Sequence, residues 1–120
     1  MARALLDSSA CKSVAGYDHS VDLVDAFHKE AEALGKAPSS KPTNLVEAVK
    51  DCDFCLLVLV NEMQCEQVCF GPGDDNLLSL LPKGSCLILS STVTAVWARK
   101  ACEKFKAAGI MFVDCPISGR

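Results

Sequence analysis

The 120-residue chain carries 12 basic and 15 acidic side chains, for a formal net charge of −3; half of its residues are hydrophobic and only 6% aromatic. That length fits one domain of the roughly 100–200-residue class, with a core of its own. The acidic balance lacks the basic footprint of a nucleic-acid binder, the positive mean hydropathy argues against disorder, and the longest apolar run, Phe54–Val60, is far short of the ~20 residues that span a bilayer.

Eight cysteines are spread along the chain. An even count points to a disulfide framework only in a secretory setting. The opening Met1-Ala2-Arg3-Ala4-Leu5-Leu6-Asp7 has no long apolar stretch and an early acid, so it does not read as a signal peptide. Reduced thiols in a cytoplasmic protein are expected, with the mitochondrion as the alternative compartment. Cys52, Cys55, Cys86, Cys102 and Cys115 lie in or beside apolar runs, where a free thiol behaves as a small hydrophobe. Cys52/Cys55 has CxxC spacing and Cys65/Cys69 has helical spacing, which raises four-thiolate zinc. No metal is expected, because Cys55 opens a strand-like run instead of a tight knuckle. A redox CxxC is disfavoured too, since no helix start follows it to lower a thiol pKa.

Ser13–Tyr17 reads as a short strand ending at Asp18. Ser20 then caps a helix whose apolar positions Val24, Phe27, Ala31 and Leu34 recur at helical spacing, closed by Gly35. The segment 37–42 is a loop holding at most a vestigial strand. Asn44 and Glu47 have capping-box spacing and open a short helix to about Val49. Phe54–Val60 lacks alternation, as a strand buried on both faces would. A helix over Glu62–Phe70 ends at Gly71-Pro72-Gly73, and a short one over Asp75–Leu81 ends at Pro82-Lys83-Gly84. Ser85–Ser90 is a second buried strand. Thr92 or Thr94 caps a helix with Ala98, Ala101, Cys102, Phe105 and Ala108 on its apolar face. Ile110–Val113 is the last strand. Strands alternating with helices predict an α/β fold, a three-layer Rossmann-like parallel sheet with right-handed crossovers.

In open parallel sheets, ligands bind beyond the carboxyl ends of the strands. Those ends carry Asp18-His19-Ser20, Asn61-Glu62, Ser91-Thr92-Val93 and Asp114 to Arg120. Helix capping explains many such polar residues, and a ligand's sugar and amide groups are the competing explanation. A carboxylate at the position of Asp18 can accept both ribose hydroxyls of an adenosine and would repel a 2′-phosphate. No arginine follows closely, so NAD is favoured over NADP; the plainer reading of Asp18 is a solvated loop acid or an N-cap. His19 and His28 read as surface residues, and Trp97 as packing.

Leu59-Val60-Asn61, Phe70-Gly71, Leu81-Pro82-Lys83-Gly84, Ser91-Thr92-Val93 and Asp114-Cys115-Pro116-Ile117-Ser118-Gly119 occur in an order and spacing that resembles the β-hydroxyacid dehydrogenase family, which includes 3-hydroxyisobutyrate dehydrogenase and is related to 6-phosphogluconate dehydrogenase. The likeness runs nearly the whole length, is strongest to the L-threonate dehydrogenase branch, and makes residues 1–120 a partial NAD(P)-binding domain. It implies that Asp18 faces the adenosine ribose, that Val60 and Asn61 contact the cofactor, that Thr92 bonds near the nicotinamide ribose, and that Ser118 and Gly119 hold the substrate carboxylate. The cofactor it implies is NAD or NADP, the substrate a small hydroxyacid, and a possible homo-oligomer forms through a helical domain outside these residues.

The 120 residues also differ from the family pattern. Met1-Ala2 resembles a Met-Ala pair inside the family's first helix, so the first strand and its G-x-G-x-M-G turn are not among these residues, and neither is the catalytic lysine, which leaves no catalytic residue within them. The family commonly has Leu-Pro where Val60-Asn61 stands, and Gly where Arg120 stands. Two functions compete: the dinucleotide-binding part of an oxidoreductase acting on a CH–OH group, inactive by itself, and a non-catalytic α/β binding module that has lost the dinucleotide chemistry.

Overall fold

The computed structural model describes residues 2–8, 10–35 and 39–117. They form two compact units, Met1–Ala48 and Val49–Arg120.

In the first unit, α1 (Ala2–Asp7) precedes the two-residue strand β1 (Val14–Ala15), α2 (Val21–Leu34) and the equally short β2 (Ser39–Ser40), which pairs parallel with β1. The strand expected over Ser13–Tyr17 is thus shorter, and the vestigial strand is real. Helix α2 runs between the expected ends. Gly35 closes it in the left-handed region at φ 60°, where a glycine carries no Cβ penalty, and its N–H donates to the Ala31 carbonyl. Ser20 holds the N-cap position without a side-chain cap bond; the local turn is set by Asp18, whose Oδ1 accepts the Ser20 N–H at 2.8 Å. Leu6 and Ala31 form the buried centre, with Val14, Phe27 and Leu34 packed around them. The Phe27 ring lies against Gly16, in the space that a side chain there would need. His28 is not a bare surface residue: Nδ1 meets Ser39 Oγ at 3.0 Å, and Nε2 lies 3.3 Å from Glu32.

Helix α3 (Leu45–Val49) opens as expected, with Asn44 Oδ1 accepting the Glu47 N–H at 2.9 Å. The return bond of the capping box lands one residue earlier. Glu47 accepts from the backbone and hydroxyl of Thr43, which holds its carboxyl below the usual range.

In the second unit, β3 (Phe54–Leu57), β4 (Cys86–Leu89) and β5 (Met111–Asp114) form a parallel sheet in that order. Leu57, Leu89 and Asp114 stand level at its carboxyl edge. Between the strands run α4 (Glu62–Phe70), α5 (Leu77–Leu80) and α6 (Ala95–Ala107), the last packed on β5. The core gathers Cys65 and Cys69 of α4, Leu77, Leu87, Leu89 and Phe105, all nearly or fully buried. Phe105 stacks on Phe112, with ring centroids 5.9 Å apart, and leans on Phe70, which also meets Trp97 at 5.9 Å. Trp97 is therefore a packing residue, as expected.

Strand β4 is buried as its sequence implies, but β3 is not. Phe54 is 69% exposed and only Leu57 is buried. The cause is position: β3 lies at the edge of its sheet, paired with β4 alone among the described strands. An unbroken apolar run reports a strand suited to two-sided burial and does not say which neighbours cover it. The cysteine reading needs a similar correction. Cys102 and Cys115 are exposed, whereas the thiols with no surrounding apolar run, Cys65 and Cys69, are the most deeply buried. Their i, i+4 spacing places both on the inward face of α4. All eight cysteines are free, and the described residues contain no group of His, Cys, Asp or Glu arranged to hold a metal ion. No described helix is long and apolar enough to cross a membrane.

Candidate cofactor site at the strand tips

In the second unit, the in-register ends of β3 and β4 release two loops on one side of the sheet, 58–61 and 90–94. The first loop ends in the start of α4. Asn61 is its N-cap: Oδ1 accepts the Gln64 N–H at 2.9 Å, while Gln64 Oε1 accepts the Val60 N–H at 3.1 Å. This reciprocal pair satisfies two donors at the helix start. Val60 is 86% exposed, and Asn61 keeps its amide donors outside the cap.

The second loop is fixed by serines and threonines with separate tasks. Thr94, one of two alternatives read from the sequence, caps α6, its Oγ1 accepting the Trp97 N–H at 3.2 Å. Thr92 is exposed and takes no part in the cap, three residues beyond the end of β4. Ser91 is buried, and its Oγ accepts the Leu59 N–H at 2.6 Å. The Ser90 N–H donates to the Leu57 carbonyl at 2.9 Å. The two loops are therefore stitched together before any ligand arrives.

Two carboxylates add to the stitching. Glu62 Oε2 accepts the Thr94 N–H at 2.7 Å, and Glu66 Oε2 accepts the Trp97 Nε1–H at 2.6 Å. From the sequence, Glu62 and Ser91 are strand-end polar residues suited to ligand contact or helix capping, and Glu66 carries no assignment; their bonds to Thr94, Leu59 and Trp97 are new. The available signal was the i, i+4 spacing of the two glutamates, facing one neighbouring helix.

The structure thus brings Val60, Asn61 and Thr92 onto adjacent loops of one unit. Asp18 stands exposed in the first unit, three residues beyond the end of β1, engaged through one oxygen with Ser20. Ser118 and Gly119, like Arg120, lie outside the described residues.

The donors and acceptors at these tips are neutral hydroxyl, amide and carbonyl groups, with a glutamate close behind them. Such a set suits the uncharged ribose and carboxamide of a nicotinamide nucleotide and repels a pyrophosphate. A nicotinamide group bound here would supply the hydride acceptor, and Val60, Asn61 and Thr92 are the residues that could hold it.

Parallel βα units with polar strand tips define a nucleotide-binding α/β domain. Over residues 1–120 the chain matches the model of the NAD binding domain of 6-phosphogluconate dehydrogenase, and it belongs to that family. It is 28% identical over 106 residues to L-threonate dehydrogenase from Cupriavidus necator, covering 88% of this chain and 34% of that protein. It is 27% identical over 111 residues to the mitochondrial 3-hydroxyisobutyrate dehydrogenase of Mus musculus, covering 90% and 32%. Among solved structures, the fold is similar to 3-hydroxyisobutyrate dehydrogenase from Salmonella typhimurium, with TM-score 0.76 at 24% identity over 99% of this chain and 38% of that one. It is also similar to Psf3 in complex with NADP+ and 2-OPP, with TM-score 0.81 at 21% identity over 98% and 38%. The chain spans about a third of the length of the curated relatives it matches.

Proposed function

We propose that these 120 residues are the NAD(P)-binding portion of an oxidoreductase that acts on the CH–OH group of a small β-hydroxyacid of the L-threonate or 3-hydroxyisobutyrate kind. The observation that carries this reading is the level, cross-stitched pair of loops at the tips of β3 and β4, which presents Val60, Asn61 and Thr92 side by side. Thr92 Oγ1 and the Asn61 amide hold the nicotinamide ribose and carboxamide. The Val60 N–H is taken by Gln64, so its part falls to the carbonyl and the side chain. Asp18 accepts the adenosine ribose hydroxyls through the oxygen that Ser20 leaves open, and its charge disfavours a 2′-phosphate, which makes NAD the preferred cofactor. Ser118 and Gly119 hold the substrate carboxylate.

Cofactor affinity of the 120 residues by themselves is weak. They contain no glycine-rich pyrophosphate turn, and pyrophosphate binding draws on such a turn and the helix start behind it. They also carry no lysine assigned to proton transfer, so they turn nothing over. Calorimetric titration with NAD+ and NADP+ tests this. Weak binding that favours NAD+ is expected; preference for NADP+ contradicts the assignment of Asp18, and micromolar affinity contradicts the need for the glycine turn. NADH formation with L-threonate or 3-hydroxyisobutyrate contradicts the absence of a catalytic group.

A further inference from the structure

Two side-chain hydrogen bonds join α4 to the start of α6. Glu62 and Glu66 are one turn apart on α4, and each takes a hydrogen from the first turn of α6: Glu62 from the Thr94 backbone at 2.7 Å, Glu66 from the Trp97 indole at 2.6 Å. Thr94 is the N-cap of α6 and lies two residues beyond Thr92. Glu62 is the first residue of α4, directly after Asn61. The upper bond of the pair therefore spans the two loops that carry the candidate cofactor contacts. Two hydrogen bonds to carboxylates at this spacing set both the separation and the rotation of the two helix starts, because a second bond removes the hinge that a single one leaves.

We propose that Glu62 and Glu66 are positioning residues: a two-carboxylate clamp that holds the start of α6 against α4 and so fixes the gap between the Val60-Asn61 and Thr92 loops. This rests on the reading of those loops as a dinucleotide site. The clamp acts through acceptor geometry, and its negative charge opposes an anionic ligand. Geometry and charge therefore give opposite results on substitution.

Glu62→Ala removes both the acceptor and the charge; Glu62→Gln removes only the charge. In NAD+ titrations of the full chain followed by amide NMR, Glu62→Ala is expected to weaken binding about tenfold, the scale of one charge-assisted hydrogen bond. Glu62→Gln should stay within about threefold of wild type. Equal strengthening by both variants means that the carboxylate acts only by repulsion, and this overturns the clamp, as does no change in either.

A second readout needs no ligand. Trp97 is the only tryptophan in the chain, so its indole N–H resonance and its emission report the lower bond alone. Glu66→Ala should speed exchange of the indole hydrogen and shift the emission to the red, and Glu66→Gln should restore both. Unchanged exchange in Glu66→Ala overturns the clamp whatever the ligand result. If wild-type chain shows no NAD+-dependent shifts, the cofactor reading and the positioning role fall together, while the indole readout still decides whether the clamp exists.

Discussion

The hydroxyl of Ser91, buried at the tip of β4, lies 2.6 Å from the backbone nitrogen of Leu59, beyond the tip of β3. This bond continues the pairing of the two strands past the last ladder residues, Leu57 and Leu89, with a side chain in place of a carbonyl. Ser91→Ala leaves the Leu59 N–H without its acceptor. A loss of about 1–3 kcal/mol is expected in urea unfolding. A change within error would mean that water replaces the hydroxyl.

Asn76 has the same organising role at the other end of α4. Its amide donates to the carbonyls of Gly71 (2.8 Å) and Gly73 (2.9 Å), while its Oδ1 accepts the Ser79 N–H at 2.9 Å and caps α5. The residue is 5% exposed, so water cannot easily replace these bonds. Asn76→Ala should cost about 2–4 kcal/mol, read as a fall in Tm. Asn76→Asp keeps the cap acceptor but loses both donors, and should fall in between.

Burial pushes the Cys55 thiol up to about 12 from an ordinary 9.0, with the neighbouring Cys52 adding to the shift. Burial likewise raises Cys69. A thiol with a raised folded-state pKa keeps its proton when the unfolded chain has already lost it. The stability this group contributes is therefore intact below about pH 9 and is lost as pH climbs from about 9 toward about 12. The urea midpoint should drop over that window, and Cys55→Ala should flatten the drop. Alkylation at neutral pH should label Cys102 and Cys115, which are exposed, and spare Cys65 and Cys69 until the chain unfolds.

Asp18→Ser removes the charge proposed to discriminate against a 2′-phosphate. The ratio of NAD+ to NADP+ affinity should fall by about tenfold, equivalent to about 1.4 kcal/mol. An unchanged ratio would show that Asp18 serves only its turn with Ser20.

Periodicity and capping chemistry made most of the second unit legible. Asn61 and Gly71 bracket α4 at the residues expected, and the buried run of β4 is buried. Two kinds of feature were hidden. The exposure of β3 depends on which strands lie beside it, a non-local fact that an apolar run does not encode. The roles of Ser91, Glu62 and Glu66 depend on bonds across more than thirty positions of sequence, where residue type alone suggests capping or solvation. Asp18 illustrates the mixed case: its turn with Ser20 is local and readable, whereas a ribose contact is a statement about a ligand. Ser118 and Gly119, assigned to the substrate carboxylate, lie outside the described residues.

The most direct test of the central claim is a titration of 15N-labelled chain with NAD+, followed residue by residue. A cofactor site at the strand tips predicts that the shifts concentrate at Asp18, Val60, Asn61 and Thr92 and saturate only at concentrations well above micromolar. Shifts clustered at the opposite edge of the sheet, around Lys83 and Gly109, or none at millimolar NAD+, would contradict it.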